Sequence, residues 1–572
     1  MSAKYRPDHY LNYGELTDLL KTWAAQYPKF CELRSIGKSK EGRDLWLMTL
    51  TDSSTGPHES KPGYWVDGNM HAMELAGTQA TVHLINEILS KKEEKRFKDL
   101  LKNFSIYLVP RVSPDGAEGI LTRTNASRSA PLNYPHKEPK PGFYREDMNG
   151  DGKTLSMIIP DRAGRYKKSK KDPRILLRRE PTENDENEVY YRALPEGRFI
   201  GESRSFKEYQ DPFGLDFNRN FPHEWTPEGH QPGAGDYPLS QPETKAVADF
   251  ICQHPNIFGA MNYHTFSAVV LRPSSHVPDS KMNPIDLQTY KAFGKLIEEA
   301  SGYPCISIFE DFKYSASENI SGTFLGWLYD QRGILGFSPE IWHMAKAAGI
   351  EIDKKKAMDW LFNETNEGVF IKIFKWIDTH LANTGAITDW KEFDHPELGK
   401  VEIGGIDPLF TVSNPPPQFL EKEMEKNVEY TLRMIESGPR VLVEDVKVEK
   451  VGESDGQPIS QIEVTLNNTG FISTLGAQVA APLKVVPPPR VKCTPSEAVS
   501  LIEGEADFEM DHLVGRSDEE FVRNPLWAQV GLFPTTNRNT KKLVWIVKGK
   551  GSLKVSVDLA RGGKKEVLVE IP

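Results

Sequence analysis

The residues able to do chemistry in this sequence are few, and they sit where strand-like runs end. After the apolar run 63–66 comes Asp67-Gly68-Asn69-Met70-His71-Ala72-Met73-Glu74, which places an imidazole and a carboxylate three residues apart where a loop enters a helix. In open α/β sheets such strand-end loops converge on a crevice. A neutral His and a carboxylate at that spacing can share one zinc ion, but a third protein ligand is needed. His264, at the end of Phe258-Gly259-Ala260-Met261-Asn262-Tyr263, supplies it. Alone, an HxxE pair is a common accident and a strand-end His an ordinary structural residue. Together, two His, one Glu and an open position for water describe a catalytic rather than a structural zinc site. The next strand-like run, 334–337, leads into Ser338-Pro339-Glu340. A carboxylate there can take a proton from zinc-bound water, whose pKa falls to about 7 on the metal. The bland alternative is an exposed strand-end acid.

These residues need a scaffold. Leu16, Leu19, Leu20, Trp23 and Tyr27 recur at helical spacing and stop at Pro28. Strand-like runs follow at 31–36 and 44–50, joined by a turn with Gly37 and Gly42; then come a strand at 63–66, a helix over 74–89 and a strand at 105–109. Helices near 242–252 and 324–329 precede the strands at 258–264 and 334–337. The alternation predicts an α/β domain, a mixed open sheet with helices on both faces. Between 125 and 210 the periodicity fades, over too long a stretch for an ordinary loop. Its window 161–180 carries nine Lys/Arg against three acids, and Glu183, Asp185, Glu186 and Glu188 follow, as in a solvated, charge-mixed insertion. Within it, Asp147, Asn149 and Asp151 with Gly152 have the spacing of a calcium loop, but the twelfth position is Ile158 rather than Glu. Calcium and a plain Asx/Gly turn both remain open. A helix over 419–434 stops at Gly438-Pro439, and beyond it the pattern has period two, with a Gly562-Gly563 turn before the last run. These final residues predict an all-β sandwich. It holds His512 but no cluster of His and acids.

The length of 572 residues alone suggests roughly three or four domains' worth of material. An apolar fraction of 38% excludes a disordered chain, and 71 basic against 81 acidic residues, a net charge of −10, gives no basic excess for nucleic acid. No run of about 18 apolar residues predicts a membrane span. Met1 to Tyr10 lack a secretory apolar region, so a cytoplasmic location is expected. The four cysteines, Cys31, Cys252, Cys305 and Cys493, are widely spaced and read as buried free thiols.

The order of these parts resembles the zinc carboxypeptidase family of the carboxypeptidase A type. His71 and Glu74 are followed by Ser113-Pro114-Asp115-Gly116, Arg128, Asn218-Arg219-Asn220, Tyr263-His264-Thr265 and Phe337-Ser338-Pro339-Glu340. The resemblance covers roughly residues 7–380, with the insertion lying between Arg128 and Asn218. It implies that His71, Glu74 and His264 hold one zinc ion and that Glu340 is the general base and later the acid. Arg128, or Arg123 in the same segment, would neutralise the oxyanion, while Asn218 and Arg219 would anchor the substrate's terminal carboxylate. The family's mobile tyrosine corresponds to Tyr314, whose other reading is a packed aromatic. Side-chain specificity would be read near Gly322-Thr323-Phe324-Leu325; the absence of an acid there disfavours C-terminal Lys or Arg and suits an apolar or aromatic residue. The family's inhibitory pro-segment finds no room ahead of the resemblance, so none is expected.

The expected protein is therefore a zinc carboxypeptidase acting on peptides with a free C-terminal carboxylate. It would comprise a catalytic domain over 1–437, with an insertion at about 129–210, and a β-sandwich accessory domain over 438–572. Two rivals stand beside it. One is a zinc amidohydrolase acting on acidic tails, cell-wall peptides or acyl amino acids. The other is a catalytically silent binding protein.

Overall fold

The computed structural model describes residues 4–122, 127–132, 134–136, 138, 140–202, 214–312, 320–353, 360, 363–519, 525–531 and 539–572. The first helix, α1 (Tyr13–Gln26), opens on a capping box in which Asn12 and Glu15 exchange side-chain and backbone bonds, and it buries Leu16, Leu19, Leu20 and Trp23. An eight-stranded sheet follows from β1 (Cys31–Lys38), β2 (Asp44–Leu50), β3 (Gly63–Gly68), β4 (Ser105–Val109), β5 (Ile257–Thr265), β6 (Val269–Arg272), β7 (Cys305–Ser307) and β8 (Leu335–Ile341). Its order is β1-β2-β4-β3-β5-β8-β6-β7, with β4, β3, β5 and β8 mutually parallel, the β1–β2, β2–β4 and β8–β6 pairs antiparallel, and the edge pair β6–β7 parallel. Parallel strands are buried on both faces, and every residue of β3, β4, β5 and β8 is buried, as their unbroken apolar runs require.

Helices cover both faces. The principal ones are α2 (Leu75–Ser90), α3 (Pro242–Gln253), α4 (Pro284–Ser301) and α5 (Pro417–Glu436); α2 packs on β3 and β5, and α5 on α2 and α4. The strand-to-helix turn after β3 works because two glycines meet there. A Cβ on Gly68 would lie 2.2 Å from the Gly77 carbonyl oxygen, and one on Gly77 2.7 Å from that of Tyr263. Any larger residue would push α2 off the strands that carry the candidate ligands. The helix expected over 324–329 is a short turn, Phe324–Gly326, that widens into a π-helix at Trp327–Gln331.

The described part of the interruption after Arg128 is an ordered β unit rather than a solvated loop. Strands Ser156–Pro160, Tyr191–Pro195, Tyr166–Lys168 and Leu176–Arg178 join a hairpin from far along the chain, Ile387–His395 and Gly399–Ile406, in one six-stranded sheet. Its basic residues are largely paired: Lys167 with Glu183, Lys168 with Glu402, Lys171 with Glu367, and Arg174 with Asp172 and Asp378. The calcium reading gains no support. Asp147 Oδ1 and Oδ2 accept from the backbone N–H groups of Gly150, Asp151 and Gly152, and Asn149 Oδ1 accepts from Asp151, which closes an Asx turn with its own donors.

After Gly438 come two four-stranded antiparallel sheets. One is β9 (Val441–Ser454), β10 (Gln457–Asn468), β12 (Val499–Glu503) and β14 (Thr540–Gly549); the other is β11 (Arg490–Pro495), β13 (Asp507–Glu509), β15 (Gly551–Asp558) and β16 (Lys564–Ile571). They enclose a core of their own around Val464, Leu466, Trp545 and Val555. This β-sandwich also contributes to the core of the preceding α/β unit. Ile472 and Ala477 join the main apolar cluster, and Phe471 meets Phe293 edge to face at 5.4 Å. Arg561, buried, donates from Nη1 and Nη2 to the carbonyls of Leu475, Gly333 and Arg332, just ahead of β8. No helix among the described residues is long and apolar enough to cross a membrane. All four cysteines are free, but only Cys31 and Cys493 are buried; Cys305 is half-buried and Cys252 exposed, so the expectation of buried thiols fails at Cys252 and holds only in part at Cys305.

Candidate functional site

His71 stands in the loop between β3 and α2, Glu74 caps α2, and His264 lies near the end of β5, beside β3 in the sheet. Glu340 faces His264 across the parallel β5–β8 register. Both His264 and Glu340 therefore lie inside their strands rather than past them, and Glu340 is buried, not an exposed strand-end acid.

The donors converge. His71 Nδ1 lies 2.8 Å from Glu74 Oε1, His264 Nδ1 2.8 Å from Glu74 Oε2, and the two Nδ1 atoms are 3.1 Å apart. The far ring nitrogens are already used: His71 Nε2 donates to Asp216 Oδ1 at 3.0 Å, and His264 Nε2 to Asn262 Oδ1 at 2.5 Å. With the protons on Nε2, both Nδ1 lone pairs point with the carboxylate at one buried spot, which is a cradle for a cation. Two imidazoles, one carboxylate and a remaining open side fit zinc.

The ligands are held from behind. Asn262 donates to Asp67 Oδ1, and Trp65 Nε1 to Asp67 Oδ2 at 2.5 Å. Burial lifts the Asp67 carboxyl to about 7 in spite of these two donors. Asp216, two residues before Asn218, also accepts from Arg128 Nε at 3.2 Å and the Asn218 backbone N–H at 2.8 Å. Burial raises the Asp216 pKa, but Arg219, His71 and Arg128 outweigh it and hold the carboxylate well below its ordinary range. Burial likewise works against ionised Glu74, and the two histidines prevail and lower its pKa. Glu340 is the opposite case: burial first, then the Glu74 charge, push its pKa well above that of a free carboxyl, against the pull of Arg128 and Arg219. Two neighbouring carboxyls are thus driven apart, one kept ionised and one made strongly basic.

Arg128 Nη1 reaches Glu74 Oε1 at 3.1 Å, which brings its guanidinium to the rim of the donor set. Arg219 is fixed by its Nη1 bond to the Asn218 carbonyl at 2.8 Å, and Asn218 Oδ1 accepts from the Phe324 N–H at 2.9 Å, leaving its amide NH2 as the donor end. Arg128, Asn218, Arg219, His71, His264 and Glu340 line one pocket. Among the described residues, its remaining wall is Leu271, Ile308, Phe312, Ile320, Thr323, Leu325 and Ser338, with no acid other than Glu340. Tyr314 and Arg123 lie outside the described residues.

Reading by spacing alone passes over Asp216, Asn262 and Asp67. A signal exists for two of them: Asn262 and His264 are two apart on a strand and share a face, and Asp216 leads directly into the Asn218-Arg219 pair.

Comparison with known proteins is consistent with this geometry. Residues 16–358 match the family model described as Peptidase_M14, zinc carboxypeptidase, and residues 440–570 match a domain of unknown function, DUF8731. Carboxypeptidase D of Homo sapiens is 34% identical over 125 residues, which are 20% of this chain and 9% of that protein. Carboxypeptidase B of Astacus astacus is 30% identical over 107 residues, 19% of this chain and 33% of that one. The chain thus spans well under half the length of these curated relatives. The solved carboxypeptidase A from Helicoverpa armigera aligns over 66% of this chain and 74% of its own, at 15% identity and a TM-score of 0.39. With the family model matching more than half of its residues, the chain belongs to the zinc carboxypeptidase family.

Proposed function

We propose that this protein is a zinc-dependent carboxypeptidase that removes an apolar or aromatic residue from the free C-terminus of a peptide. The observation that carries the reading is the joining of two elements in one pocket: the His71, Glu74 and His264 donor set, and the Arg219 guanidinium. A planar guanidinium beside an amide NH2 suits the two oxygens of a terminal carboxylate, so Arg219 and Asn218 would place the last peptide bond next to Glu340. Zinc, when bound, polarises the scissile carbonyl and lowers the pKa of water. Glu340, made basic by its buried setting, accepts the water's proton at its carboxylate and returns it to the leaving amine. Arg128 faces the oxyanion, where the loss of one donor costs roughly 3 kcal/mol. The side chain of the departing residue would meet Leu271, Ile308, Phe312, Ile320 and Leu325, a wall that desolvates an apolar group and, among the described residues, offers no counter-charge to Lys or Arg.

The test is hydrolysis of matched peptides ending in Phe, Leu, Lys or Asp, each with a free and an amidated terminus. The reading expects chelator-sensitive cleavage of the free-ended Phe and Leu peptides and none of the amidated ones. Cleavage of amidated ends would instead favour the amidohydrolase, whose attraction to acidic tails loses its basis in the paired charges of the insertion. A chain that binds zinc and cleaves none of them would be the silent binding protein.

A further inference from the structure

The two strands that present His71 and His264 have a second histidine pair at their opposite ends. His58 lies in the single turn His58–Ser60 ahead of β3, and His254 closes α3 ahead of β5. Because β3 and β5 are parallel neighbours, the chain arrives at both from the same side, and the two rings come to lie 5.9 Å apart and nearly parallel. Glu59 adds a carboxylate, with Oε1 3.2 Å from His58 Nε2. One ligand atom from each of the three residues lies within 4.8 Å of the others.

The ring orientations are set from behind, as in a metal site. His254 Nδ1 donates to the Phe250 carbonyl at 2.7 Å, so its lone pair is on Nε2. His58 Nδ1 meets the Tyr107 hydroxyl at 3.1 Å, and that hydroxyl accepts from Asn256 Nδ2 at 2.9 Å. A proton on His58 Nδ1 directed at Tyr107 leaves Nε2 bare beside Glu59. Glu59 and His254 also line a cavity of about 590 Å3 between the catalytic unit and the sandwich, whose far wall includes Arg490, Asp558 and Glu566. Two features oppose a cation here: Arg490, Lys492, Lys564 and Lys565 line the cavity, although Arg490 is paired with Asp507 and Lys564 with Asp558, and Arg34 Nη2 donates to His254 Nε2. The bond is long, 3.4 Å, and the guanidinium is also stacked on Phe250 at 4.9 Å, a contact that does not depend on the imidazole.

We propose that His58, Glu59 and His254 form a second metal site, with its open side toward the interdomain cavity, for a divalent ion of the zinc type. Two imidazoles and one carboxylate select such an ion over calcium or magnesium, which take oxygen ligands. The site is separate from the catalytic pocket, so its occupancy and the peptidase reading are tested independently.

The experiment is equilibrium titration of the full-length, chelator-stripped chain with zinc against a competing indicator. Two ions per chain are expected. His71→Ala should abolish the tighter one, and His254→Ala should abolish the other with peptidase activity unchanged. Glu59 is exposed, so Glu59→Gln leaves folding untouched; the second ion should then weaken at least as much as on loss of an outer-shell partner, roughly 10- to 100-fold. Arg34→Gln, by removing the competing donor, should tighten it. A wild-type chain that takes one ion only, lost in His71→Ala, overturns the assignment. So do two ions that neither His254→Ala nor Glu59→Gln disturbs.

Discussion

The same two strands carry a histidine pair at each end, and the ends differ in how the surroundings treat charge. At the catalytic end the carboxylate, Glu74, is buried, and the far ring nitrogens of His71 and His264 face the Asp216 carboxylate and an Asn262 amide backed by Asp67. At the opposite end Glu59 is exposed, and the ring nitrogens turned away from it meet a backbone carbonyl and a phenol. Ionised partners in a low-dielectric setting hold an imidazole and strengthen its lone pair far more than neutral ones. The catalytic end thus holds its candidate metal donors more firmly, with the buried carboxyl of Glu340 beside them. The other end is built for docking the sandwich, and any ion there binds more weakly.

The largest effect should come from removing the basic carboxyl itself. Glu340→Gln keeps the shape of the pocket and all three donors, so zinc content should be unchanged while kcat falls by about 10²- to 10⁴-fold. Zinc analysis beside single-turnover kinetics checks this, and normal turnover in the variant sinks the assignment of the base. A change in zinc content instead would blur the comparison, because it would mean that Glu340 helps hold the metal.

At the docking end, Arg561→Ala probes what the sandwich contributes. Its guanidinium serves the carbonyls of Leu475, Gly333 and Arg332, and each buried acceptor left without a donor costs about 1–3 kcal/mol. Part of that loss is offset, because a buried guanidinium with no carboxylate partner is itself unfavourable. A net destabilisation of about 2–3 kcal/mol is expected in denaturant unfolding, with kcat unchanged below the transition. If kcat fell with stability, the two ends would be coupled through β8, which begins two residues after Gly333 and carries Glu340 at its other end.

How much of this was legible in the sequence follows the same division. His71 and Glu74 could be read because two residues three apart at a strand-to-helix turn can face one point, and His264 and Glu340 because each closes an apolar run. The β-sandwich was legible from its period-two pattern. Asp216 reaches His71 across 145 residues, and no local spacing encodes that contact. The strands of the insertion run to only three to five residues, and the strand Ser156–Pro160 pairs with Gly399–Ile406 far along the chain, so their partners set their structure rather than their own pattern. Docking by Arg561 was equally hidden, since nothing in a lone arginine after a strand predicts that it will be buried on three carbonyls.

Asp67→Asn sharpens the account of the catalytic end. Asp67 accepts from both Trp65 and Asn262; an amide in its place accepts from one and presents N–H to the other. Asn262 would then turn or lose its anchor, and His264 Nε2 would lose its acceptor. Zinc affinity should fall roughly 10- to 100-fold, the usual scale for an outer-shell partner, while the second ion is unaffected. Equal weakening of both ions would erase the distinction between the ends.

The smallest expected effect tests α3, the element that starts near the catalytic end and finishes in His254. Glu243 sits in its first turn, 1% exposed, with Oε1 accepting from the Lys40 N–H and Oε2 without a partner among the described residues. Burial, reinforced by the Asp115 charge, lifts its carboxyl from 4.5 to about 7. A carboxyl whose pKa is higher folded than unfolded binds protons more tightly in the native state. Its stabilisation is complete below about pH 4.5 and is lost as pH rises through about 7. Glu243→Gln removes that slope and can satisfy the Oε2 position with an amide. The variant should therefore exceed the wild type by about 1–2 kcal/mol at pH 8, with the gap closing toward pH 4.5. Urea unfolding at a series of pH values measures it. A gap that widens on acidification would mean that Glu243 is held ionised, so that the start of α3 stabilises charge as the catalytic donors do.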